Sequence, residues 1–160
     1  MSGKIRRTYL NDHLAGSVAA IELLDHLLKL DDNANRKAVY AQLRRDIQED
    51  QGVLKELIDR VAGSESTLRK AVAWISEKLG QVKTAVEDPG DNQLRILQSL
   101  ELVALGIQGK RLLWNALAAA ASGIPGFTGV DFEHLQERAR QQFNQVETER
   151  LRIAGLALRD

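Results

Sequence analysis

Two carboxylates stand where a buried leucine belongs. In the series Leu43, Ile47, Asp50, Leu54 the steps of three and four residues trace one helix face, and Asp50 lies on it. Glu149 sits in the same way between Val146 and Ile153. An acid turned towards an apolar interior is costly unless it meets a donor or cation, or binds a metal. Two chemistries therefore compete: a metal held by carboxylates, and a closed cluster of ion pairs and hydrogen bonds. Counting outward from the turn near residue 126 brings Glu101 opposite Glu149 and Arg150, and counting from residue 33 brings Asp50 opposite Gly16 and Ser17, one turn from His13. The predicted buried polar cluster is thus His13, Ser17, Asp50, Glu101, Glu149 and Arg150. The expected donors to Asp50 are His13, Ser17 and Arg150, in that order. On this reading Asp50→Leu changes stability only modestly, because leucine removes the desolvation cost along with the pair.

Other chemistries lack their residues. There is no cysteine, so disulfides, thiolate metal sites and thiol nucleophiles are excluded. His13 and His26 are nearly four helical turns apart and form no same-level pair, and His134 is expected to be solvated. The loop from Gly123 to Gly129 has no Gly-Lys-Ser/Thr for a phosphate. No serine, histidine and acid fall into a triad pattern. Twenty-two basic and 22 acidic residues cancel, so the footprint of a nucleic-acid binder is missing. No catalytic residue and no cofactor are expected.

Helices must position the acids. The chain is 44% hydrophobic but only 4% aromatic, with two prolines, and no window alternates with the period of a strand. The first predicted helix carries Leu10, Leu14, Ile21, Leu24 and Leu28; the second, from near Arg36, carries Tyr40, Leu43, Ile47, Leu54, Leu57 and Val61. A third stretch, between Gly63 and Gly90, places Leu68, Val72, Ile75, Leu79, Val82 and Val86 at strict four-three spacing, with Trp74 beside them. Asp91 or Asn92 caps the next helix, Leu94, Ile96, Leu100, Val103, Ile107, Trp114 and Leu117, which is apolar around most of its circumference and expected to be the most buried. Thr128 or Asp131 opens the last, with Phe132, Leu135, Ala139, Phe143, Val146, Ile153 and Leu156. The length, 160 residues, suits one domain over 1–160. Residues 102–121 are interrupted by Gln108, Lys110, Arg111 and Asn115, so no membrane span is predicted. Asn11, Asp12 and His13 follow the basic start where a signal peptide is apolar, and the expected location is the cytoplasm.

Two helical hairpins joined through residues 63–90 predict an all-α, four-helix bundle with a crossover helix between the second and third long helices; the alternative is a five-helix up-down array in which the middle helix is a full core member. With the segments Leu100-Glu101-Leu102-Val103-Ala104-Leu105-Gly106-Ile107 and Gln142-Phe143-Asn144-Gln145-Val146-Glu147, the chain from Tyr9 to Leu158 resembles the ferritin-like superfamily, in particular small bacterial members with degenerate metal ligands. Metal-binding members carry a carboxylate on each of two helices and a Glu-x-x-His pair on each of the others. The resemblance implies that Glu22 and Glu101 stand for the two carboxylates. The histidines are missing: the second helix offers Asp46, Glu49 and Asp50, and Glu147 is followed three residues later by Arg150, whose guanidinium replaces a cation instead of binding one. The expected function is accordingly non-enzymatic, structural or protein-interacting, with a second copy or another protein as partner. The alternative is a di-metal carboxylate protein, an oxidase or metal store, using Glu22, Asp50, Glu101 and Glu147 or Glu149.

Overall fold

A computed structural model describes residues 2–62 and 91–159. Among them are four α-helices, α1 (Ser2–Leu30), α2 (Ala34–Ala62), α3 (Asn92–Ala120) and α4 (Phe132–Ala157), two single-turn 3₁₀ helices between α3 and α4, and no strand. The all-α class follows from the helical spacing of the apolar residues. No described helix is long and apolar enough to cross a membrane. The predicted crossover helix over 63–90, with Trp74, lies outside the described residues.

Side-chain caps set the helix starts. Asn33 Oδ1 accepts from the Arg36 backbone N–H at 3.0 Å, Asp91 from that of Gln93 at 2.8 Å, and Asp131 from that of His134 at 2.9 Å. Each such cap is worth about 1 kcal/mol, because it satisfies a backbone donor that has no partner within the helix. Between α3 and α4, Pro125 opens the second 3₁₀ turn and Gly129 takes a φ of 80°, open to glycine without strain.

α1 and α2 form an antiparallel hairpin in which Ser17 meets Gln51 and Asp25 meets Arg44. α3 and α4 form another, in which Asn115 meets Gln136 and Glu101 meets Arg150. α1 also runs antiparallel to α3: Gly106 lies beside Ala20, and Ala116 and Ala120 beside Ile5 and Tyr9. α2 and α3 therefore point the same way.

The core falls into two apolar clusters. One, towards the 31–33 loop, is built on Leu24, Leu27, Tyr40, Leu43, Leu100, Val103 and Ile153; the other, towards the 121–131 turns, on Leu10, Leu14, Leu57, Trp114, Phe127 and Phe132. At the junction lie Ser17, Asp50, Gln51, Lys110 and Gln142. α3 carries more buried residues than any other described helix, as expected. It buries Leu100, Val103, Ile107 and Trp114 but leaves Leu94, Leu102, Leu105 and Leu112 exposed, because α1 and α4 flank only part of an apolar circumference.

Candidate functional site

Asp50 is 2% exposed and lies at the junction of the two clusters. Its Oδ2 accepts from Lys110 Nζ at 2.6 Å and from Gln142 Nε2 at 2.9 Å, and its Oδ1 accepts from Arg138 Nε at 2.9 Å. Lys110 donates in addition to Gln142 Oε1, and Arg138 Nη2 reaches Glu49 at 3.1 Å. Burial pushes the Lys110 ammonium below its usual pKa, and Asp50 opposes that shift. The acid is thus closed by two cations and an amide drawn from α3 and α4, the opposite hairpin.

This corrects the expected donors. Asp50 faces Gly16 and Ser17 across its own hairpin, and neither has a side chain that bonds it. The Ser17 hydroxyl donates to the Leu14 carbonyl at 2.6 Å and accepts from Gln51 Nε2 at 2.9 Å. The His13 ring packs edge-on against Tyr9, 4.8 Å between centroids, and burial lowers its pKa against the pull of Asp12. Arg150 lies farther along α4 and pairs with Glu147 and, at 3.7 Å, with Glu101.

The remaining carboxylates do not join Asp50. Glu101, 49% exposed, lies outside the buried interior because it falls on the solvent edge of α3. Glu149 is buried, with Oε1 accepting from Arg152 at 2.7 Å and Oε2 buried without a hydrogen bond among the described residues. Glu22 is exposed on α1. No group of three His, Asp or Glu side chains converges for a metal among the described residues.

A cavity of about 150 Å³ adjoins Asp50 and Lys110 between α1, α2 and α3. Leu54, Ile107, Leu113 and Trp114 contribute to its wall, and Gly16, Gly106 and Gly109 line it as well. A methyl group at Gly16 would meet nothing within 4 Å, nor would one at Gly52, a helical glycine away from the cavity. We expect Gly16→Ala and Gly52→Ala each to raise stability by about 0.5–1 kcal/mol in urea unfolding, the difference between alanine and glycine inside a helix. A fall in either midpoint would show that the local packing is tighter than this.

No family model, curated protein or solved structure matches the chain. Its residues speak through their chemistry alone.

A second closed polar site was missed in the sequence. Asp31, in the α1–α2 loop, is 1% exposed and accepts from Arg36 Nε at 2.6 Å, Arg36 Nη2 at 2.7 Å, the Tyr40 hydroxyl at 2.8 Å and the Asn33 backbone N–H at 2.9 Å. Burial pushes its pKa up, but Arg36, Asn33 and Tyr40 together outweigh that and hold the carboxyl below its ordinary value. The Tyr40 hydroxyl is raised well above its ordinary value, first by burial and then by Asp31. Asp31 clamps the loop that fixes the first hairpin. Lys110 and Gln142 did leave a signal: each falls on a buried stripe, between Ile107 and Trp114 and between Ala139 and Val146, by the same spacing that singles out Asp50.

Proposed function

We propose that the chain is a ferritin-like bundle with a crossover helix between α2 and α3, that it acts through protein contacts and not by catalysis, and that its partner is a second copy of itself. The common direction of α2 and α3 supports the crossover, since the connection must travel back along the bundle. Lys110 and Arg138, held on Asp50, supply the positive charge that a metal supplies in metal-binding members.

The observation that carries the reading is the apolar stripe on α3. Leu102, Leu105 and Leu112 are exposed, the last two at 69% and 67%, and with Gly109 they follow a three-four-three spacing, the seam of a helix that packs on another helix. The stripe is self-complementary. An antiparallel two-fold pairing centred on Ile107 sets Leu102 against Leu112 of the second copy and Leu105 against Gly109, large against small, as an isologous interface requires. A net charge of zero puts no electrostatic barrier against it.

Light scattering is expected to give twice the chain mass of 17.8 kDa. Leu105→Glu with Leu112→Glu is expected to give a monomer of unchanged helicity. A monomeric parent protein at high micromolar concentration, or a variant that stays dimeric, overturns the proposal.

A further inference from the structure

We propose that the cavity between α1, α2 and α3 binds a small, uncharged, mostly apolar molecule about the size of a benzene ring, with one hydrogen-bonding atom directed at Lys110. Four observations on different residues converge on this. The first is size: the cavity holds about 150 Å³, and an apolar cavity of that volume accommodates one such ring. The second is the wall, which includes Ala20, Ile47, Leu54, Ile107, Leu113 and Trp114. Trp114 is almost fully buried, and its indole N–H has no acceptor among the described residues.

The third is the polar end. An ammonium carries three N–H donors, and those of Lys110 serve Asp50 and Gln142, which leaves one. That donor selects an acceptor atom but not a charge. Lys110 is already neutralised by Asp50 at 2.6 Å, so an anion entering the cavity meets Asp50 as well as Asp12, and a cation meets Lys110. An uncharged ligand avoids both.

The fourth is the mouth. Gly16 on α1 and Gly106 on α3 line the cavity and are exposed. Packing does not demand glycine at either place: a Cβ on Gly16 meets nothing within 4 Å, and one on Gly106 meets only Ala20, at an ordinary 3.9 Å. What glycine preserves there is open space, at the expense of helix stability.

The test uses the full chain and four ring compounds: phenol, toluene, benzoate and benzylamine. Binding is read by calorimetry and by the indole N–H resonance of Trp114, assigned with Trp74→Phe. Phenol is expected to shift that resonance saturably and to bind at least about tenfold more tightly than the other three, a difference of about 1.4 kcal/mol. Gly16→Ala with Gly106→Ala is expected to weaken phenol binding by about tenfold or more without lowering the melting temperature. Gly52→Ala serves as control and leaves the affinity unchanged. The proposal is overturned if phenol shows no saturable binding, if toluene or either charged compound binds as tightly, or if the double glycine variant binds phenol like the parent.

Discussion

Asp50→Leu will lower the unfolding free energy by about 3–5 kcal/mol, and Lys110→Met added to it will recover most of that loss. Leucine removes the carboxylate but leaves the Lys110 ammonium almost fully buried, with Gln142 Oε1 as its remaining acceptor and Arg138 turned towards the vacated place. An uncompensated buried charge is the costly state, whereas an apolar pair of similar volume is close to neutral. The modest effect read from the sequence took His13 and Ser17, of the same hairpin, as the first candidate partners; two cations from the other hairpin, one of them almost fully buried, make the loss larger. Urea unfolding of the parent, both single variants and the double variant closes the cycle. Equal losses in Asp50→Leu and in the double variant would show that Lys110 is not the group left stranded.

Asp31→Ala is expected to cost about 3 kcal/mol near neutral pH, because it leaves a half-buried Arg36 and the Tyr40 hydroxyl without their common acceptor. Tyr40→Phe removes one bond to a charged group and should cost about 1.5 kcal/mol. The pH dependence follows from the two directions of shift. Asp31 is depressed in the fold below its reference of 3.8, so its contribution is fully present above that value and is lost as pH falls through the folded pKa. Tyr40 is raised above its reference of 10.0, so its contribution is present below 10.0 and is lost as pH rises beyond it. The gap in stability between the parent and Asp31→Ala must therefore narrow in acid, and Tyr40→Phe must lack the part of the alkaline loss that Tyr40 carries. A gap that stays constant down to the pH of acid unfolding would show that Asp31 is not ionised in the fold.

Much of the fold was legible because each long helix repeats its apolar residues at one period. The apolar face predicted for the second helix coincides with buried Tyr40, Leu43, Ile47, Leu54 and Leu57, and the capping acids Asp91 and Asp131 were candidates from the residues alone. Asp50 was legible for the same reason, as a violation of that period. Its partners were not, since counting along a hairpin ranks only residues within that hairpin, while Lys110, Arg138 and Gln142 reach Asp50 through the packing of one hairpin on the other. Arg138 left no signal at all: it lies beside the buried stripe of α4, next to Ala139, and reaches inward from the edge. Asp31 was hidden in a different way, for an acid at a helix end is ordinary loop composition, and the tyrosine that marks it comes nine residues later.

The polar junction between the two apolar clusters also fixes how far each helix can slide. A seam of leucines alone would tolerate a shift of one turn, about 5.4 Å, with little change in the kind of contact made. Here such a shift of α2 would carry Asp50 into an apolar cluster and set Ile47 or Leu54 against Lys110 and Gln142, leaving an acid and an ammonium buried apart. Every slipped packing thus carries a penalty that the native one does not, and the junction opens an energy gap between one register and its near neighbours.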